Sequence, residues 1–316
     1  MLRLRLVPAR TAIPFMRWRK LSMILSIVAV AASLFMAWTP GLNFGIDFRG
    51  GILVEVRMPG EQADLAGMRQ TLGGLGLGEV ALQEFGRASD VLIRVERQPG
   101  DATAQQVAVE KVQAALNAEY GGQVDYRRVE FVGPTVSGEL IEAGAIAIGL
   151  AVVLMLIYIW FRFEWHFGVG AVLALVHDVA LSIGMFAVFQ LEFNLSTIAA
   201  LLTIVGYSIN DTVVVYDRVR ENLRRYKSRS IEAVLDLSIN DTLARTVMTS
   251  VTTLLALLAL FIFGGPVIQG FVAAMIWGVI VGTYSSIFIA SPVLILLGIE
   301  KRRGSGEPLT AGGDAS

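Results

Sequence analysis

The sequence predicts a polytopic α-helical membrane protein with six transmembrane helices and a small ferredoxin-like α+β domain, of order βαββαβ, between the first two. Three observations predict it. Six stretches are long and apolar enough to cross a hydrocarbon core; lysine and arginine crowd the connections on one side; and residues 39–137 alternate strand-like and helix-like patterns. Composition agrees, since 54% of the 316 residues are hydrophobic and 17% charged, against roughly 25% charged in soluble domains. There is no cysteine, which excludes disulfides, thiolate metal sites and cysteine nucleophiles together. A net charge of −1 gives no reason to expect a nucleic-acid partner.

A span needs about 20 apolar residues. The stretches that meet or approach this are 21–38, 138–161 (its apolar part running from Ile141 to Phe161), 167–189, 195–216, 243–263 and 271–297. The first is short and follows Arg17, Arg19 and Lys20, so it also fits a signal peptide cut near Ala31; the charge distribution favours six spans.

Orientation follows from the short connections. Residues 1–20 carry Arg3, Arg5, Arg10, Arg17, Arg19 and Lys20, and Arg162 follows the second span. Arg218, Arg220, Arg224, Arg225, Lys227, Arg229 and Arg245 lie in the segment that runs from residue 217 into the fifth span, and Lys301, Arg302 and Arg303 lie in the tail 298–316. The opposite short connections, 190–194 and 264–270, carry none. Both termini and the loop 217–242 are therefore expected in the cytoplasm, and residues 39–137 outside. In that loop, Ile231, Val234 and Leu235 share one side of 230–239, a pattern that fits a helix lying on the membrane surface.

Within 39–137, Gly51–Met58 alternates as a strand with Ile52, Val54 and Val56 on one face. Residues 61–75 read as a helix closed by Gly73, Gly74, Gly76 and Gly78. Short strands at 80–85 and 91–96 follow, then a helix over 102–120 with Val107, Val112 and Leu116 at helical spacing, and a last strand at 124–132. This is the order of a split βαβ unit. Gly74-x-Gly76-x-Gly78 is no dinucleotide loop, because the glycines follow a helix and precede a strand, the reverse of the required order. No phosphate-cradling Gly-Lys-Ser/Thr step occurs, and neither a cofactor motif nor a metal-ligating set is readable, so no enzymatic activity is expected.

An ionisable side chain at mid-membrane costs about 2.5–3.5 kcal/mol on insertion scales and marks a functional candidate. Asp178 lies 11 residues into the third span, about 16 Å deep. Asp211 lies six residues before Asp217, about 9 Å from the cytoplasmic edge. Tyr207 and Ser208 precede Asp211 on its face, Asn210 adjoins it, and Arg245 opens the fifth span after the cap candidates Asn240, Asp241 and Thr242. Thr249, Thr252 and Thr253 extend a polar stripe from Arg245. An aspartate facing an arginine across two helices suits a proton relay; it also suits a structural lock between helices. Asp178, with Ser182 one turn on, reads more readily as a helix contact, and His177 as a packed residue. Gly278-x-x-x-Gly282 gives the sixth span a face for close packing. Glu139 and Glu142 suit a helix N-terminus behind the cap candidate Ser137.

One span, an external domain and five more spans resemble one half of a transporter of the resistance–nodulation–division superfamily. Within it, specific strings resemble the SecD/SecF family. They are Phe44-Gly-Ile-Asp-Phe-Arg-Gly-Gly51, which contains Gly45, Asp47, Arg49, Gly50 and Gly51; Val132-Gly-Pro-Thr-Val-Ser-Gly138; the run from Val205 to Asn222; Arg245-Thr-Val-Met-Thr-Ser250; and Phe263-Gly-Gly-Pro266. The resemblance covers about Arg17 to Leu297 and implies a bacterial inner-membrane subunit with a periplasmic domain at 39–137. It also implies pairing with SecD, association with the SecYEG channel and YajC, a translocating preprotein as substrate, and protons as the energy source, with Asp211 and Arg245 as coupling residues. Asp178 matches a His-Asp pair of that family to which no role is attached. A small-molecule or lipid exporter half and a passive membrane scaffold are the competing expectations. The first needs a second similar half; the second needs no titrating site.

Overall fold

The computed structural model describes Pro8 and residues 11–299; Arg3, Arg5, Arg10 and the tail lysine and arginines lie outside the described residues. A 3₁₀ turn at Phe15–Trp18 leads into α1 (Arg19–Trp38). Trp18 and Trp38 are both exposed and stand about 30 Å apart along the helix, the thickness of a hydrocarbon core, as interfacial tryptophans do.

The external domain follows. A short strand β1 (Asn43–Phe44) and one helical turn α2 (Ile46–Arg49) precede β2 (Gly51–Arg57). Then come α3 (Leu65–Gly73), β3 (Val80–Phe85), β4 (Arg87–Val95), α4 (Ala102–Glu119) and β5 (Asp125–Val132). The sheet order β3-β4-β2-β5 is antiparallel throughout, the arrangement expected of a split βαβ domain. Ile52, Val54 and Val56 pack against Met68 and Leu72 of α3 and against Ala108, Val112 and Leu116 of α4. Val107 is exposed: the buried stripe of α4 runs through Ala108, Val112 and Leu116 at intervals of four, which turns Val107 outward. Both helices are capped by aspartates. Asp64 accepts from the amides of Ala66 and Gly67, and Asp101 from those of Thr103 and Ala104. Asp90 on β4 is buried and holds Arg57 through two hydrogen bonds of 2.6 and 2.9 Å. The guanidinium keeps the Asp90 carboxyl below the usual range.

Five further spans complete the bundle: α5 (Pro134–Arg162), α6 (Trp165–Phe189), α7 (Leu195–Arg225), α8 (Ile231–Phe263) and α9 (Pro266–Ser285). A second short strand β6 (Glu192–Phe193) precedes α7. After α9 the sixth span continues through a π-helical turn at Ser286–Ala290 into α10 (Ser291–Leu296). Pro292, which has no amide hydrogen, accounts for the widened turn before it, and Ser291 Oγ donates to the Ser286 carbonyl at 3.2 Å. α6, α7 and α9 form the interior, while α5 and the outer half of α8 expose apolar side chains.

Helix ends differ from expectation in three places. Gly133, not Ser137, caps α5, with Pro134 in the first turn, where its missing amide costs nothing. At 31 residues, α7 is about 46 Å long and outruns the bilayer. α8 starts at Ile231 with Ser230 as its cap, so Asn240, Asp241 and Thr242 lie mid-helix. There Asn240 bonds the Ile13 backbone in both directions, Asp241 accepts from Arg218 and Thr242 donates to the Ser238 carbonyl. Ile231, Val234, Leu235 and Ile239 are all but fully buried, in one cluster with Phe15, Met16, Val219 and Leu223. Residues 230–239 therefore extend the bundle beyond the expected fifth span; their apolar face has a protein partner that the sequence did not reveal.

Candidate functional site

The site sits where α6, α7, α8 and α9 meet. α7 and α9 approach closely because Gly278 and Gly282 have no side chain: a Cβ on Gly278 would collide with Ile204, and one on Gly282 would stand 3.1 Å from Ser208. This brings the start of the π-helical turn against the polar face of α7.

Asp211 is 9% exposed. Its Oδ1 accepts from Thr246 at 2.6 Å and its Oδ2 from Ser286 at 2.5 Å. Arg245 is exposed, and among the described residues no ion pair joins it to Asp211, whose oxygens are held by Thr246 and Ser286. The expected face-to-face pair is therefore not formed in this arrangement. Successive residues on a helix differ by about 100°, so when Thr246 faces α7, Arg245 turns away. The same rotation carries Thr249 and Thr252 outward, where each donates to its own helix carbonyls. The inward stripe of α8 is Thr242, Thr246 and Ser250, all buried.

Of the residues the sequence grouped around Asp211, Ser208 is fully buried but serves the other aspartate. Tyr207 reaches Ser250 on α8 at 3.4 Å, and Ser250 pairs with Thr283 at 2.7 Å. Asn210 is exposed and stays apart from the site. Asp178 is 0% exposed, and it bonds His177 at 2.9 Å, Ser208 at 2.5 Å and Ser285 at 2.7 Å. His177 is thus a hydrogen-bond partner as well as a packed ring; its imidazole stacks on Tyr284 with centroids 5.9 Å apart. Sequence reasoning missed Thr246, Ser285 and Ser286. Their one readable signal was a set of hydroxyl residues at helical spacing in otherwise apolar spans.

The Gly45–Gly51 motif lies at the outer end of the same helix. Asp47 Oδ2 accepts from the Leu195 amide at 2.9 Å, placing a carboxylate at the N-terminus of α7, where the helix dipole favours it. Beside it β1 pairs in parallel with β6, the Gly45 amide donates to the Phe193 carbonyl at 2.8 Å, and Arg94 bridges Glu192 at 3.1 Å. Gly50 and Gly51 have φ of 70° and 123°, a backbone that side chains disfavour, and a Cβ on Gly51 would stand 2.7 Å from the Val95 carbonyl oxygen. Arg49 lies 6.0 Å from the Phe44 ring.

Six apolar helices among the described residues, with two buried carboxylates between them and an α+β domain bonded to the start of α7, define a multi-pass membrane protein with a buried polar centre. The sequence profile described as "Protein export membrane protein SecD/SecF, C-terminal" matches residues 111–300, and that of the "SecD/SecF GG Motif" matches residues 35–58. The protein translocase subunit SecF of Rickettsia bellii (strain OSU 85-389) is 48% identical over 298 residues, covering 94% of this chain and 97% of the relative. That of Rickettsia felis is 47% identical over 300 residues, covering 94% and 96%. Among solved structures, SecDF from Thermus thermophilus, described as a translocon-associated membrane protein, matches with a TM-score of 0.83 and 35% identity, covering 92% of this chain and 39% of that one. SecDF in its super-membrane-facing form matches with a TM-score of 0.62 and 33% identity, covering 95% of this chain and 40% of that one. The chain thus spans about two fifths of either SecDF protein. The chain belongs to the SecD/SecF family of protein-export membrane proteins.

Proposed function

We propose that the chain is the SecF-type subunit of a protein translocase accessory complex. It pairs with SecD in the bacterial inner membrane, with both termini cytoplasmic and residues 39–137 periplasmic. It acts with the SecYEG channel, and with YajC where present, and uses the proton gradient to help complete preprotein export. It has no catalysis of its own. Asp211 is the proton-accepting group and Arg245 its electrostatic partner.

The observation that carries this reading is that hydroxyls, not a cation, hold Asp211. A hydroxyl can donate to a carboxylate or accept from a carboxylic acid. Ser286 has a second acceptor in place, the Thr283 carbonyl at 3.0 Å. When Asp211 takes a proton it donates to Ser286 Oγ, and the serine hydrogen turns to Thr283. Both protonation states are thereby satisfied without an orphaned polar group. Loss of the negative charge also removes the attraction that Arg245 experiences, which biases how α8 rotates against α7.

α7 carries that bias outward. Leu195 lies 16 residues before Asp211, about 24 Å along the helix, and Asp47 holds its amide. A displacement of α7 is therefore delivered to the periplasmic domain through the Gly45–Gly51 motif.

The test is gradient-driven translocation into inner-membrane vesicles carrying equal amounts of complex with SecD. Asp211→Asn is expected to abolish stimulation by the gradient while assembly with SecD persists. A passive scaffold predicts the opposite: normal assembly would bring normal export.

A further inference from the structure

The proton reading of Asp211 leaves unused the more deeply buried carboxylate of the bundle. Asp178 is 0% exposed, and His177 beside it is 5% exposed. The groups facing Asp178 can be named helix by helix. α7 presents Ser208, with Asp211 three residues on along the same face. α9 presents Ser285, together with Tyr284 stacked on His177. α1 presents Ser22 and Ser26, whose side chain or carbonyl meets the Tyr284 hydroxyl at 3.1 and 2.9 Å. The parts of α5 and α10 in the shared core are apolar, with Ile159, Val293 and Leu294. Among the described residues, no arginine or lysine forms an ion pair with Asp178, so the partner available to neutralise its charge is a proton. Two further details fit a proton-holding site. Ser285 has a second acceptor, the Gly282 carbonyl at 3.2 Å, the same two-way arrangement that Ser286 provides for Asp211. The far nitrogen of His177, Nε2, is buried without a hydrogen-bond partner, an unusual feature that calls for a functional account.

We propose that the His177–Asp178 pair is a second proton-holding site of this bundle, coupled to Asp211 through the adjacent residues Ser285 and Ser286. This rests on the reading of Asp211 as a proton acceptor. One proton added to the ionised Asp178 carboxylate converts the pair from a single negative charge to neutrality. The coupling has a physical carrier. Ser285 holds Asp178 and Ser286 holds Asp211, and the two serines are consecutive at the start of the π-helical turn. Ser208 and Asp211 likewise share one face of α7. A serine that turns or shifts to suit one carboxylate moves the backbone that serves the other. Asp211 keeps some exposure and Asp178 none, so Asp178 exchanges its proton when the helices around it part.

Infrared difference spectroscopy of the complex with SecD in lipid nanodiscs, recorded across a pH titration, tests this. The wild type is expected to show two buried carboxylic-acid bands that appear and vanish with pH. Asp178→Asn should remove one, and Asp178→Glu, which keeps the acid and guards against a folding defect, should shift its frequency. Asp211→Asn should remove the other and lower the Asp178 midpoint by about one pH unit, a tenfold loss of proton affinity from a coupled pair. His177→Gln should move the Asp178 midpoint without removing the band. An Asp178 band that never titrates, or the absence of any band sensitive to both Asp178 variants, would overturn the proposal. So would an Asp178 midpoint indifferent to Asp211→Asn. A titrating Asp178 band beside an Asp211 that never protonates would refute the Asp211 reading and the coupling with it, while leaving a proton site at Asp178.

Discussion

Replacing Asp47 by alanine removes a carboxylate bonded to the start of α7. The Leu195 amide, 2.9 Å from Oδ2, loses a charged acceptor placed at a helix N-terminus. Comparable cap and dipole contributions are worth about 1–2 kcal/mol, which changes a local equilibrium about 5- to 30-fold. The β1–β6 pairing and the Arg94–Glu192 bridge remain, so the domain stays attached and local opening increases. Hydrogen exchange read by mass spectrometry should therefore accelerate by that factor in peptides covering residues 192–198. Peptides from the centre of β2, whose Ile52 and Val54 are fully buried, should not change. Asp47→Asn keeps an acceptor but not its charge and should fall between. Unchanged exchange at 192–198, or equal acceleration throughout the external domain, would refute the assignment of Asp47 as the clamp on α7.

Further expectations concern packing, charge and topology. Gly278→Ala should cost about 1–3 kcal/mol through its collision with Ile204, read as a lower unfolding temperature of the detergent-solubilised complex, whereas Gly206→Ala, with open space around it, should not. Leu116→Ala, at a fully buried site, should cost about 2–5 kcal/mol, and Val107→Ala should stay within about 0.5 kcal/mol; equal effects would contradict the buried stripe of α4. Because Arg57 lowers the folded-state affinity of Asp90 for protons, the stability this pair contributes is complete above the unfolded carboxylate value of about 3.9 and is lost as pH falls through the lower folded value. Asp90→Asn should flatten that acid-side loss in exchange measurements on residues 51–132. Reporter fusions should place Gly60 outside and Lys227 inside.

Most of the architecture was legible before any coordinates. The domain order followed from alternation and turn glycines, and the spans from length and apolarity, because both signals are local. The failures were matters of angle and partner. α8 was cut short because Asn240, Asp241 and Thr242 look like a helix start, yet Ile231, Val234, Leu235 and Ile239 already form its buried face. The polar stripe of α8 was placed one residue out of phase, so Arg245 was read inward in place of Thr246. In an apolar helix, a single polar side chain gives a weak phase signal, whereas contact with α7 defines it. Ser285 and Ser286 were invisible as site residues because nothing local indicates that the sixth span widens into a π-helical turn beside two aspartates.

The central claim is that protonation at Asp211 moves α7 and, through Asp47, the external domain. The absence of cysteine in this chain permits double labelling, in a complex with a cysteine-free SecD, at two exposed positions, Glu110→Cys on α4 and Phe189→Cys at the outer end of α6. Pulsed electron–electron distance measurement in proteoliposomes, with the SecD-paired complex held with or without a proton gradient, reads the separation directly. The account predicts that imposing the gradient shifts the distance distribution in the parent protein. It also predicts that Asp211→Asn, which mimics the protonated acid, gives one distribution under both conditions. A gradient-dependent shift that survives in Asp211→Asn would contradict it.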